Sequence, residues 1–76
     1  MKIELHRNAE KFLEKLSLKQ KARILRAVYK LPKGDVAQLK GRTDFRLRVG
    51  DWRIIWLYQA YGILVTEIGN RGDVYK

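Results

Sequence analysis

The sequence predicts an α+β fold: one strand, then an antiparallel helical hairpin, then an antiparallel sheet. Three observations carry that prediction. Residues 1–6 alternate apolar and polar side chains with period two. Apolar residues then recur at helical spacing as far as Leu31, where Pro32 and Gly34 stop the pattern. From Val36 onward, short alternating stretches follow one another across tight turns, which is how an antiparallel sheet reads in sequence.

In the first element Ile3 and Leu5 alternate with Lys2, Glu4 and His6. Asn8 is the expected N-cap of the first helix, because its side chain can accept from the orphan amides of the first turn. Ala9, Phe12, Leu13 and Leu16 form the apolar face of that helix, with Glu10, Lys11, Glu14 and Lys15 outward. Ser17 is the expected cap of the second helix. There Leu18, Ala22, Leu25, Val28 and Leu31 form the expected stripe, with Ile24 beside it. The short join at Ser17 makes the two helices an antiparallel hairpin. Neither is long, so each depends on the rest of the fold. Val36 to Leu39 reads as a strand and residues 40–43 as a turn. Phe45 to Val49 alternates strictly, Gly50-Asp51 turns, and Trp52 to Tyr58 is the next strand. Tyr61-Gly62 lies in a loop before the last strand, Ile63 to Ile68.

The Gly50-Asp51 turn fixes a register. A two-residue loop sets Val49 opposite Trp52, Arg48 opposite Arg53, Leu47 opposite Ile54, Arg46 opposite Ile55 and Phe45 opposite Trp56. Cross-strand partners share a face. One face is then Phe45, Leu47, Val49, Trp52, Ile54 and Trp56, wholly apolar and suited to covering by the helices. The other carries Arg46, Arg48 and Arg53. Like charges directly opposite one another destabilise a strand pair, so stability alone does not account for Arg48 facing Arg53. Arginine suits bidentate contact with phosphate. The competing reading is a solvated face whose arginines pair with Asp44, Asp51 or Glu67.

Composition narrows the function classes. The 76 residues leave room for one domain, residues 1–76, without repeat, linker or low-complexity segment. Apolar residues make up 46% of the chain, enough for a packed core. With no cysteine there is neither a disulfide nor a thiolate metal site, which fits a reducing cytoplasm. No apolar run is long enough to span a membrane, and the N-terminus reads as a charged strand, not a signal core. Seventeen Lys and Arg against eight Asp and Glu give a net charge of +9, which favours an anionic partner. The one histidine, His6, reads as a structural or surface residue. Past the last strand, Arg71 and Tyr75 stand in a polar, glycine-bearing segment, where a tyrosine beside arginines can stack on a base or orient a ribose hydroxyl.

Taken together, Lys40-Gly41, Phe45-Arg46-Leu47-Arg48-Val49-Gly50-Asp51-Trp52-Arg53-Ile54-Ile55-Trp56 and Ile68-Gly69-Asn70-Arg71-Gly72-Asp73-Val74-Tyr75 resemble the RelE/ParE toxin superfamily. The resemblance extends over nearly the whole chain. It implies a helical hairpin packed on one face of a curved antiparallel sheet. It also implies a toxin of a type II toxin–antitoxin system, in the RelE branch: a cytoplasmic, ribosome-dependent endoribonuclease that cleaves mRNA in the A site and so inhibits translation. Its partners would be the ribosome, mRNA and a cognate antitoxin, with no cofactor, metal, membrane or small-molecule substrate. Carried over by position, Arg46 and Arg48 take the places of two basic strand residues, often lysines. Arg53 takes that of the arginine after the hairpin turn, and Arg71 and Tyr75 match the C-terminal pair. The expected catalytic set is Arg48, Arg53, Arg71 and Tyr75, with Arg46, Lys40 and Arg42 binding RNA.

Two departures from the family pattern bear on mechanism. Arginine does not deprotonate near neutral pH, so neither Arg46 nor Arg48 can act as a general base where a lysine did. Asn70 stands where many relatives have histidine. A ParE-like gyrase inhibitor, an inactive homologue that only binds an antitoxin or DNA, and a basic RNA-binding module are the alternatives.

Overall fold

A computed structural model describes residues 2–70. Its elements run β1 (Lys2–Leu5), α1 (Arg7–Glu14), α2 (Leu18–Val28), β2 (Val36–Gln38), β3 (Phe45–Val49), β4 (Trp52–Gln59) and β5 (Gly62–Asn70). The strands form one sheet in the order β1-β5-β4-β3-β2. The helices cover one face of it. Ala9, Leu13, Ile24, Val28 and Leu31 meet Leu47, Val49, Ile54, Trp56, Ile63, Val65 and Ile68 in a single apolar core.

The hairpin register is the one that the Gly50-Asp51 turn predicts, at all five pairs from Val49↔Trp52 to Phe45↔Trp56. Gly50 has φ 59, the left-handed conformation that such a turn requires and that glycine adopts without strain. Trp56 is fully buried, its ring stacked on Phe45 at 4.7 Å.

The structure departs from the sequence-based expectation in five places. The sheet is mixed: β1 pairs with β5 in parallel, Ile3 beside Ile63 and Leu5 beside Val65. The helical hairpin carries the chain from β1 at one edge of the sheet to β2 at the other, and the chain returns through β3 and β4 before β5 lies down beside β1. Gly62 belongs to β5 instead of the preceding loop. A Cβ on it would collide with the Lys2 backbone, so glycine is what lets the two strands close up.

The cap of α1 is His6, not Asn8: the His6 Nδ1 accepts from the Asn8 N–H at 3.2 Å. Ser17 caps α2 as expected, reciprocally with Gln20. The buried stripe of α2 centres on Ile24, Val28 and Leu31, while Leu18 is 85% exposed. At about 100° per residue, Leu18 lies roughly 120° around the helix from Ile24. Contact with the sheet selects the β-branched side over the one that begins at Leu18.

In β5 strict alternation would put Ile68 on the face opposite Val65. A β-bulge prevents this: Trp56 pairs with Val65 and Ile55 with Glu67, leaving Thr66 over. Thr66 Oγ1 donates to the Ile55 carbonyl at 3.2 Å, and Val65 and Ile68 both reach the core.

Candidate nucleic-acid interface

The face of the sheet away from the helices holds the arginines. The registers set Ala37, Arg46, Ile55 and Glu67 in one row across β2 to β5. Arg48, Arg53 and Gly69 form the next row. Arg48 and Arg53 are therefore direct cross-strand neighbours. The strands fix the Cα positions of all three arginines, so the cluster is built on rigid elements.

A carboxylate outside the sequence-predicted set organises two of them. Asp35 immediately precedes β2. Its Oδ2 accepts from Arg48 Nε at 2.8 Å, and its Oδ1 accepts from Arg46 Nη1 at 3.3 Å. The Asp35 main-chain carbonyl accepts from Arg46 Nη1 at 3.1 Å and from the Arg48 backbone N–H at 3.0 Å. The hydrogen bond from Arg48, then that from Arg46, holds the Asp35 carboxyl below its ordinary value. The competing reading of a solvated face pairs these arginines with Asp44, Asp51 or Glu67. Asp35 is the one that pairs with Arg46 and Arg48, and Asp44 pairs instead with Arg42 at 2.6 Å. The signal for Asp35 lay in the β2–β3 register: Val36 pairs with Leu47, so the residue before Val36 reaches Arg48.

Asp35 lies on the surface, its side chain 47% exposed, and the Arg48 side chain is 42% exposed. Arg46 is more enclosed, with 19% of its side chain exposed. Arg53 is half-buried. The face thus gathers three arginines, two of them sharing the Asp35 carboxylate.

The other predicted positions fall elsewhere. Lys40 and Arg42 belong to the turn before β3, at the opposite end of that strand from Arg48. They line a separate shallow depression with Gln38, Leu39, Gly41 and Thr43. The guanidinium of Arg42 is held by Asp44, and its carbonyl accepts from Gln38 Nε2 at 3.3 Å. Arg71 and Tyr75 lie outside the described residues. Among the described residues no group of three or more His, Cys, Asp or Glu side chains is placed to hold a metal ion. None of the described helices is long and apolar enough to cross a membrane.

No protein-family model matches this sequence, and no curated protein is similar to it at a significant level. Solved structures are similar in fold. The RelB–RelE antitoxin–toxin complex of Methanococcus jannaschii contains a chain that superposes with TM-score 0.76 at 20% identity, over 95% of this chain and 94% of that one. The archaeal RelE–RelB complex of Pyrococcus horikoshii gives 0.73 at 26% identity, over 96% and 97%. The RelBE2 toxin–antitoxin complex of Mycobacterium tuberculosis gives 0.75 at 16%, over 91% and 95%. A hairpin on one face of the sheet, arginines on the other, and these end-to-end superpositions lead to one conclusion: the chain has the RelE-type toxin fold.

Proposed function

We propose that this protein is the toxin of a toxin–antitoxin pair and cleaves mRNA on the ribosome. The observation that carries the proposal is the arginine cluster on the face of a RelE-type fold away from the helices. The three structures above are toxin–antitoxin complexes, which supports a cognate antitoxin as this chain's partner. Its net charge of +9 suits an acidic segment of such a partner as well as RNA.

In the proposed reaction the ribose 2′-hydroxyl gives up its proton to water as its oxygen bonds to the adjacent phosphorus. The bond from phosphorus to the 5′-oxygen breaks, and the leaving oxygen takes up a proton. Arg48 and Arg53 bind the scissile phosphate and stabilise the charge that builds on its oxygens, often a large part of the barrier reduction. Arg46 holds the flanking backbone. Asp35 keeps Arg46 and Arg48 in position, so part of their ordering precedes substrate binding. By resemblance, Arg71 assists the leaving group and Tyr75 orients the hydroxyl. Arginine supplies no general base, so alignment of the 2′-oxygen carries more of the catalysis, and the ribosome holds the mRNA in that alignment.

The test is cleavage of mRNA threaded through ribosomes with an open A site, beside the same mRNA without ribosomes. Cutting is expected on the ribosome and little on naked RNA. Expression without antitoxin is expected to arrest growth. Soluble expression with normal growth and no ribosomal cleavage overturns the proposal in favour of an inactive homologue. Equal cutting of free RNA overturns the role given to the ribosome.

A further inference from the structure

We propose that the groove between α2 and the end of β3 is a second RNA-backbone site, taking nucleotides that run beyond the strand held on the arginine face of the sheet. The inference rests on the reading of that face as an RNA surface, and extends it around the sheet edge.

The groove has its origin in the length of β2. That strand has three residues and pairs with Phe45 to Leu47, and Asp35 just before it still accepts from the Arg48 N–H, so β3 becomes the sheet edge from Val49 onward. The gap between this bare edge and α2 encloses about 340 Å³. Its lining includes Arg23, Arg26, Lys30, Lys33 and Arg48, with Asp35 the one carboxylate among the described residues that line it. Asp35 is already engaged by Arg46 and Arg48. Arg23, Arg26 and Lys30 succeed one another at spacings of three and four, a continuous stripe along one side of α2 and its exit. Arg48 belongs to both this groove and the arginine face. The two cationic surfaces are thus joined at a single residue.

One wall is ordered in advance. The Arg23 guanidinium lies over the Trp52 ring, 5.9 Å from its centroid. It also packs on Gly50, where a Cβ would come within 3.1 Å of its Nη2.

The floor argues against a partner anchored by apolar side chains. Leu47 and Val49 are only 2% and 9% exposed. These two side chains leave little apolar area for a partner to cover, so a helix or strand docked by an apolar face finds no anchor on them. A phosphate backbone needs only the cations, each neutralised phosphate releasing a counter-ion.

The probe is fluorescently labelled, fully 2′-O-methylated RNA of 4 or 16 nucleotides, which lacks the attacking hydroxyl and stays intact. The variants are Arg26→Glu with Lys30→Glu, and Lys11→Glu with Lys15→Glu on α1 as a control of equal charge change. The wild-type protein is expected to bind the longer RNA more tightly and with a steeper salt dependence. The groove variant should lose that length advantage: about tenfold weaker binding of the 16-mer, a salt slope shallower by about 1–2, and little change for the 4-mer. The control should keep the advantage. The pair Arg26→Gln and Lys30→Gln serves if glutamate near the α2 C-terminus impairs folding.

A groove variant that keeps the wild-type length advantage, or a control that loses as much, overturns the proposal. So does a glutamate-rich peptide that binds the groove and outcompetes the 16-mer, which would assign the groove to a protein. Ribosomal cleavage separates the two readings. Groove-dependent binding without cleavage sinks the nuclease and leaves the groove. Cleavage with groove-independent binding does the reverse.

Discussion

Replacing Trp56 and Arg48 in turn by alanine separates the two faces of one hairpin. Trp56 is fully buried, stacked on Phe45 at 4.7 Å and edge-on to Tyr58 at 5.1 Å. An aromatic side chain in such a place buries about 150–250 Å², and at ~25 cal/mol per Å² that is about 4–6 kcal/mol. Truncations of this kind cost about 3–5 kcal/mol. A chain of 76 residues has a total stability of about 4–11 kcal/mol. Trp56→Ala is therefore expected to lower Tm by about 15 °C or more, or to unfold the protein. Trp52 is half-buried, and its loss should cost about half as much.

Arg48→Ala acts in the opposite sense. It breaks a surface ion pair with Asp35. It also relieves the cross-strand repulsion from Arg53, worth a few tenths of a kcal/mol. Tm should stay within a few degrees of the parent. Cleavage on the ribosome should fall by roughly 100-fold, the loss of about 3 kcal/mol of phosphoryl-charge stabilisation. Arg53→Ala should show a loss of activity of the same order. Thermal melts and single-turnover cleavage on the four variants decide the matter. Arginine variants that melt well below the tryptophan variants, or that cut at the parent rate, would refute the assignment of this face to phosphate.

Asp35 is expected to titrate below the usual carboxylate range, because the Arg48 and Arg46 hydrogen bonds favour its ionised form. A lowered folded-state pKa means that its contribution to stability is present above the unfolded carboxylate value of about 3.9 and disappears as pH falls through the folded value. Carboxyl-detected NMR on the parent and on Arg48→Ala checks this, since the variant should move the midpoint up; an unmoved midpoint rejects the cause given. Asp35→Asn should tighten RNA binding, through the lost negative charge, and yet slow cleavage, through looser arginines. Loss of both activities together would reduce Asp35 to a folding role. Gly62→Ala should detach β1 from β5, read as fast amide exchange from Lys2 to Leu5, because a Cβ there meets the Lys2 backbone. Ser17→Ala should cost about 1 kcal/mol by removing one half of the α2 capping box, measured by denaturant titration.

What the sequence determined by itself was local. Strict alternation from Phe45 to Val49, with a two-residue Gly50-Asp51 turn, admits one register, so the five hairpin pairs and the segregation of arginines from tryptophans are legible in the order of residues alone. Ser17, with Gln20 three residues on, encodes its own cap within a single turn. Tertiary structure decided whatever depended on partners far along the chain. The parallel docking of β1 on β5 joins residues about sixty positions apart, and no pattern inside either strand specifies it. The rotation of α2 toward Ile24 and Val28, the leftover Thr66 that returns Ile68 to the core, and the cap supplied by His6 each follow from packing the whole chain at once. The site divides along the same line. Arg46, Arg48 and Arg53 share a face because side-chain direction alternates along a strand. Asp35 reaches Arg46 and Arg48 because β2 pairs with β3 across the turn between them, and that longer connection, unlike the two-residue Gly50-Asp51 turn, does not fix the register by itself.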